Sequence, residues 1–126
     1  MIFRQFINDD LGCASYLVGD ERAGVAAVDP RLEVDEYLRL ARFAGVEIAH
    51  ILETHTHADH VSGHGRLAEA TGATIHVNRL AGAAYPHDPI DDGWELGLGE
   101  VRVRALHTPG HRPEHTCFCL TDTSRG

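Results

Sequence analysis

The sequence has no lysine, and its eleven basic residues, all of them arginine, are outnumbered by nineteen acidic residues. The resulting formal charge of −8 argues against a nucleic-acid partner, because nucleic acids are normally bound by a basic patch. We attribute the missing lysine to biased genome composition rather than to mechanism. The charge balance therefore excludes one large class of partners.

Long apolar runs are also absent. A membrane span needs about 18 consecutive apolar residues, and no such stretch occurs in the sequence. The N-terminal segment has no apolar stretch of the length found in secretory signals. We therefore expect no membrane partner and no secretory signal.

Cysteine is scarce, at positions Cys13, Cys117 and Cys119. An odd number at uneven spacing does not predict a disulfide framework, and free thiols suit a reducing cytoplasm. No histidine-paired signature of a catalytic cysteine surrounds them. Cys117 and Cys119 alternate along a predicted strand, so they share one face, which we expect to be buried.

The remaining composition, 43% apolar and 24% charged over 126 residues, fits one small globular domain of the α/β class. Residues 78–93 are rich in turn formers and are expected to form an irregular loop over the site, with Tyr85 and His87 as candidate substrate contacts. Periodicity predicts strands at 2–7, 13–19, 24–28, 47–53, 73–77, 101–106 and 115–121, and helices at 33–44 and 63–71.

Three imidazoles and one carboxylate occur within six consecutive positions, at His55, His57, Asp59 and His60. These groups are usual ligands of zinc and iron. In an extended segment, His55 and His57 point to the same side and can bind one ion together. The pattern predicts one metal with supporting groups, or two adjacent metals; a polar loop with solvated histidines is the alternative.

A second segment, His107-Thr108-Pro109-Gly110-His111, is expected to supply the missing ligand. Pro109 and Gly110 favour a tight turn, which would hold His111 rigidly, and three histidines plus a water is a known catalytic zinc arrangement. His107 and His115 flank the turn, and for each of them a role in supporting the ligands and a plain structural role are equally open.

The other histidines are less informative. His50 and His76 lie in predicted strands, where we expect structural roles. His64 follows the first cluster near the start of a helix, and we expect it to be partly exposed.

Together, Thr54-His55-Thr56-His57-Ala58-Asp59-His60 and Thr108-Pro109-Gly110-His111 resemble the motifs of the metallo-β-lactamase superfamily, and the resemblance runs over the whole chain. Glu53-Thr54-His55 and the segments 58–63 and 107–115 look most like the glyoxalase II and persulfide dioxygenase branch, including versions fused to rhodanese domains. The implied fold is half of an αββα sandwich, a mixed β-sheet with flanking helices.

The resemblance implies roles for individual residues. In the hydrolases, His55, His57 and His111 match the first metal site, while Asp59 and His60 match the start of the second, and Asp59 would act catalytically by orienting or sharing the attacking water. In the dioxygenases one iron is held by two histidines, best matched to His55 and His111, and an aspartate. The implied cofactor is a divalent metal, Zn or Fe(II), and the implied substrate is a small glutathione-like thiol derivative.

One departure from the family pattern stands out. The pattern continues with a Gly-Asp segment whose aspartate completes the metal site, whereas this sequence ends at Gly126. We therefore predict one domain over residues 1–126, truncated before that aspartate and before the second half, and inactive or weakly active by itself. The alternative is a non-catalytic metal-binding module, or a half-domain that forms a homo-oligomer through its uncovered sheet.

Overall fold

The computed structural model describes residues 1–8, 13–30, 34–54, 64–81, 86–109 and 114–123. Its strands are β1 (Ile2–Asn8), β2 (Cys13–Asp20), β3 (Gly24–Val28), β4 (Ile48–Leu52), β5 (Thr74–Asn78), β6 (Asp88–Ile90), β7 (Glu95–Leu98), β8 (Val101–His107) and β9 (Thr116–Asp122). Its helices are α1 (Asp35–Ala44) and α2 (His64–Thr71), with a short 3-10 turn at Arg79–Ala81.

The strands form two sheets. Strands β1 to β6 lie side by side in chain order, with β1, β2 and β3 antiparallel and β3 to β6 parallel. Strands β7, β8 and β9 form an antiparallel sheet. A parallel pair requires a crossover connection, and α1 and α2 supply it between β3 and β4 and between β4 and β5. The carboxyl ends of β3 to β6 therefore meet at one edge.

Two apolar layers hold these elements together. The first lies between the helices and the six-stranded sheet and contains Tyr37, Leu67 and Ile51. The second lies between the two sheets and is formed by Val18, Ala26, Val28, Leu52, Leu98, Val101 and Val103. The order of layers is helix, sheet, sheet, which confirms the predicted mixed sheet with flanking helices and the half-sandwich architecture.

Helix α1 follows the predicted apolar stripe. Tyr37 is fully buried, and its hydroxyl lies 2.6 Å from Ser15 Oγ. Gly45, the predicted C-cap, has φ 71°, and its N–H donates to the Arg42 carbonyl at 3.2 Å while Val46 N–H donates to the Ala41 carbonyl at 2.9 Å. The left-handed conformation that glycine tolerates thus satisfies the last carbonyls of the helix.

The sequence-based predictions missed two short strands. The predicted irregular loop at 78–93 contains β6, and β7 precedes β8 without having been predicted. Both strands are very short, and β6 contains Pro89, which is tolerated in an edge strand because proline cannot donate to the ladder. Three or four residues are too few for an alternating pattern to stand out.

The prediction of a buried cysteine face was also wrong. Cys117 and Cys119 do share one face of β9, but both are exposed. Phe118 and Leu120 on the opposite face pack against the layer between the sheets. Arg104, the register partner of Cys119 in β8, is also exposed and lies on the same outer face of the sheet. Alternation therefore fixed which residues share a face, but not which face is covered.

The sheets are connected at the amino ends of the parallel strands through Asp20. Its carboxylate accepts the Arg22 N–H at 2.8 Å and, from the turn between β7 and β8, the Glu100 N–H at 2.8 Å. These backbone hydrogen bonds lower the pKa of Asp20. Asp20 thus links the end of β2 to the second sheet.

Replacement of Gly99 by alanine is expected to disrupt this link. Gly99 has φ +64°, and a Cβ there would lie 2.7 Å from Asp20 Oδ2. Gly93 is the matched control, because it also has a positive φ (+86°) but nothing lies within 4 Å of its added Cβ. We expect Gly93→Ala to cost about 1 kcal/mol and Gly99→Ala to cost about 1–3 kcal/mol more, as overpacking does. Equal losses in urea denaturation would show that the Asp20 contact contributes nothing.

The edge strand β1 carries exposed apolar side chains. Phe3 is 45% exposed and Ile7 59% exposed. The Phe3 ring lies 5.6 Å from that of Tyr16, which packs against the layer between the sheets. In the part of the chain that the structure describes, the three-stranded sheet therefore leaves Phe3 and Ile7 partly exposed. Within the described residues, no helix combines the length and the apolar character needed to cross a membrane.

Candidate functional site

The structure brings together the segments that flank the two predicted ligand clusters. Thr54 directly precedes His55, and its carbonyl accepts the backbone N–H of Thr116 at 2.8 Å. Thr116 begins β9, a few residues after the predicted ligand at position 111. This hydrogen bond joins the carboxyl end of β4 in one sheet to the start of β9 in the other. The described residues that flank the two predicted ligand clusters therefore lie together where the two sheets meet.

The predicted ligands themselves are not placed. His55, His57, Asp59, His60 and His111 lie outside the described residues, and so does Tyr85. Among the residues that the structure describes, no group of three or more histidine, cysteine or acidic side chains is arranged to hold a metal.

Asp29 fixes the start of the first cluster, a role that the sequence did not reveal. Its carboxylate accepts two hydrogen bonds from Thr54, one from the backbone N–H at 2.9 Å and one from the hydroxyl at 2.6 Å. Its own N–H donates to the Leu52 carbonyl at 2.9 Å. Asp29 has φ 49°, a left-handed conformation in which aspartate is enriched. The end of β3 thus sets the direction in which the chain enters residue 55.

Two buried carboxylates lie beside the predicted clusters, Glu53 directly after β4 and Glu114 shortly before β9. Glu53 is 1% exposed and Glu114 is 4% exposed. The Glu53 N–H donates to the His76 carbonyl at 2.9 Å, which extends the β4–β5 pairing by one residue. Buried charges are expensive unless they are paired or hydrogen-bonded. Glu53 and Glu114 lie next to the two predicted clusters, and for Glu53 an acidic residue directly after an apolar strand was the available signal.

The turn between β8 and β9 is held at its base. Thr108 N–H donates to the His115 carbonyl at 2.9 Å, and Thr108 Oγ1 lies 3.0 Å from His115 Nδ1 and 3.4 Å from Cys117 Sγ. His107 donates its backbone N–H to Asp92 Oδ1 at 2.8 Å. His107 and His115, both half-buried, therefore belong to the fixed base of this turn, and whether they support metal ligands stays a prediction.

His87 lies elsewhere. It precedes β6, whose Asp88 pairs with His76, and it lines a cavity of about 350 Å³ together with Ala68 of α2 and Ile75. This places His87 at the amino end of β6, on the helix side of the sheet. The structure therefore does not bring it to the edge where Thr54 meets Thr116.

Comparison with known proteins adds the family. Residues 8–124 match the model of the metallo-beta-lactamase superfamily. The chain is 38% identical to a hydroxyacylglutathione hydrolase from Methylococcus capsulatus, with 85% of this chain and 43% of the relative covered. It is 31% identical to the mitochondrial persulfide dioxygenase ETHE1 from Bos taurus, with 98% and 50% covered.

A solved structure supports the same grouping. The crystal structure of a metallo-beta-lactamase from Staphylococcus aureus superposes on this chain with a TM-score of 0.92 at 33% identity, covering 99% of this chain and 39% of that one. The chain spans about half the length of the curated relatives it matches, at 43% and 50% of their lengths.

Proposed function

Because this chain belongs to the metallo-beta-lactamase superfamily, we propose that it contributes one half of a metal-dependent active site that acts on small sulfur-linked substrates. The observation that carries the proposal is the Thr54–Thr116 hydrogen bond, which brings the two histidine-bearing segments to one edge. Relatives named as a hydroxyacylglutathione hydrolase and a persulfide dioxygenase support a glutathione-like thiol derivative as the substrate. They do not favour the non-catalytic alternative.

The donor set fits a divalent metal. His55, His57 and His111 would supply neutral imidazole nitrogens, and Asp59 and His60 would complete or extend the site, a mixture that suits zinc and ferrous iron. A bound divalent metal supplies a Lewis acid and brings the pKa of a coordinated water toward about 7. The carboxylate of Asp59 would orient the attacking water in the hydrolytic reaction.

The residues that the structure describes would support these predicted ligands without binding the metal themselves. Asp29 would hold Thr54, and with it the backbone that enters residue 55, in one direction. Glu53 and Glu114 would accept hydrogen bonds from ligand imidazoles, which fixes ring orientation and raises ligand basicity. His107 and His115 would hold the second segment from either side. A reducing cytoplasm would keep the exposed thiols of Cys117 and Cys119 free.

Two chemistries are compatible with this site, and the full-length protein separates them. Thioester hydrolysis of the glyoxalase II type predicts two zinc-like ions per chain and cleavage of an acylglutathione without oxygen uptake. Persulfide oxidation predicts one iron per chain and oxygen uptake with glutathione persulfide. Metal analysis of the purified protein, followed by both assays, distinguishes these results.

The His111→Ala variant tests whether metal binding and activity depend on a predicted ligand. We expect it to reduce bound metal and whichever activity is found by more than the roughly 10–100-fold typical of groups that only support a ligand. A protein that turns over neither substrate, or a His111→Ala variant with unchanged metal content and activity, would refute the proposal.

A further inference from the structure

Two histidines form a direct contact away from the predicted ligands. His50 Nδ1 of β4 lies 3.0 Å from His76 Nε2 of β5. His76 is 4% exposed and His50 is half-buried. The second ring nitrogen of His76, Nδ1, lies 3.5 Å from Asp88 Oδ2 of β6. We refer to His50 and His76 as the imidazole pair.

The arrangement indicates where the protons are. Asp88 favours a proton on Nδ1 of His76 through charge alone, because its carboxylate oxygen lies 3.5 Å from that nitrogen without forming a hydrogen bond. His76 Nε2 is then the acceptor, and His50 Nδ1–H is the donor. The side chains of Asp88, His76 and His50, from three adjacent strands, thus contact one another in succession.

The imidazole pair also contacts the connection between the two sheets. Trp94 lies between β6 and β7, and its ring centroid is 4.8 Å from that of His76 at an interplanar angle of 38°. The N–H of Ala105 in β8 donates to the Trp94 carbonyl at 2.7 Å. His76 therefore packs the six-stranded sheet against the segment that begins the three-stranded one.

The titratable side chains that contact His76 include His50 and Asp88. Burial, the neighbouring His50 and, in the opposite sense, Asp88 set its pKa at about 4, and burial also lowers the pKa of His50. The three-stranded sheet contributes apolar side chains to the layer between the sheets, Leu98, Val101 and Val103. Helix α2 packs on the opposite face of the larger sheet.

We propose that the imidazole pair is an acid-sensitive contact between β4 and β5 that holds His76 against Trp94, tolerates one added proton and opens when both imidazoles are charged. A first proton can occupy Nε2 of His50 and leave the hydrogen bond to His76 intact. A second proton, on His76 Nε2, would place two N–H groups and two positive charges 3.0 Å apart with no acceptor between them. The rings then separate, and His76 leaves Trp94.

The contact is connected to the candidate site through the backbone. The carbonyl of His76 accepts the N–H of Glu53 at 2.9 Å, two residues before the first predicted ligand. Movement of β5 on acidification would therefore reach the segment that enters the site. The proposal itself does not depend on which reaction the site performs.

Trp94 is the single tryptophan of the sequence, so its fluorescence reports on the contact. We would titrate the emission of the protein from pH 8 to pH 3.5 and follow far-ultraviolet circular dichroism in parallel. The expected result is a change in emission that precedes the loss of secondary structure, with a steepness between one and two protons. Emission that changes only with global unfolding would overturn the proposal.

His50→Gln is the decisive variant. Its amide can donate to neutral His76 and, after turning over, accept from charged His76, so the contact should persist and the emission change that precedes unfolding should be strongly reduced, by the donor and acceptor capacity of the amide. His87→Gln removes a histidine outside the pair and should leave the curve as in the parent protein. A His50→Gln curve identical to that of the parent would contradict the proposal.

Nitrogen NMR of the histidine rings provides a second test that needs no variant. We expect the Nδ1–H tautomer for His76 at pH 7, and two coupled ring titrations below the ordinary histidine range. An Nε2–H tautomer for His76, or independent titrations of the two rings, would refute the proposed arrangement.

Discussion

Asp29→Ala is expected to lower the free energy of unfolding by about 3 kcal/mol, because hydrogen bonds to a charged group contribute about 1.5–3 kcal/mol each and Asp29 accepts two from Thr54. Alanine also tolerates the φ of 49° poorly. Asp29→Asn should cost less, about 1 kcal/mol, because asparagine accepts this backbone conformation and keeps one carbonyl oxygen. Chemical denaturation of the three proteins measures the series.

The same substitution tests whether Asp29 positions the first ligand cluster. If Thr54 sets the direction of the chain at His55, Asp29→Ala should weaken metal binding by about 10–100-fold, the usual effect of losing a group that orients a ligand. A competition titration with a chelator gives this number. Asp91→Ala is the control, since Asp91 is an exposed carboxylate paired with exposed Arg79 at the end of β6, and surface pairs contribute little.

A double-mutant cycle with Thr54→Val isolates the interaction itself. Valine removes the hydroxyl and keeps the shape of the side chain. If Asp29 acts through Thr54, the losses of stability and of metal affinity should be clearly less than additive in Asp29→Ala/Thr54→Val. Additive losses, or an Asp29→Ala protein that binds metal as tightly as the parent, would show that Asp29 acts only on the local fold.

The stability of the protein should fall as the pH is lowered from about 6.5 to about 4 because of His76. Its pKa in the folded protein is about 4, whereas the ordinary value is 6.5. Below pH 6.5 the unfolded chain binds a proton that the folded chain does not, so the stabilisation is complete above 6.5 and is lost progressively down to 4. One pKa unit corresponds to about 1.4 kcal/mol, so the loss is roughly 3 kcal/mol.

Urea denaturation at a series of pH values measures this dependence. His76→Phe keeps an aromatic ring against Trp94 and cannot ionise, so its profile should be flatter than that of the parent between pH 6.5 and 4. The other histidines are present in both proteins, and the difference between the two profiles therefore isolates His76. Parallel profiles would show that His76 binds protons equally in the folded and unfolded states.

The sequence predicted most of the larger elements because their patterns are long. The stripe of α1 spans about three turns and ends at a glycine, and the alternation of β8 runs over five of its seven residues with Arg102 and Arg104 outside and Val103 inside. Strands β6 and β7 offer three and four residues, too few for a period to be recognised. The burial of one face of β9 depends on which side the larger sheet covers, which local alternation does not contain.

The same distinction between local and long-range information applies to the candidate site. Its predicted metal ligands could be identified from the sequence because they lie in two short segments, at 55–60 and 107–111. Asp29 and Thr54 are separated by 25 residues, and His50 and His76 by 26, so both contacts depend on the pairing of parallel strands. The expectation of plain structural roles for His50 and His76 is consistent with their burial but did not include their contact with each other. A buried strand ending in Asp29-Pro30 was the one local sign of the first contact.

Hydrogen exchange offers a view of how the two sheets separate. They are joined at one edge by Asp20 and the Glu100 amide and at the other edge by the amide of Thr116 and the carbonyl of Thr54. Each of these two amide protons is released to solvent only when its own edge opens. If both exchange at the same rate, the sheets part in one event. If Glu100 exchanges first, the structure opens from the amino ends of the parallel strands while the edge that carries the candidate site is still closed.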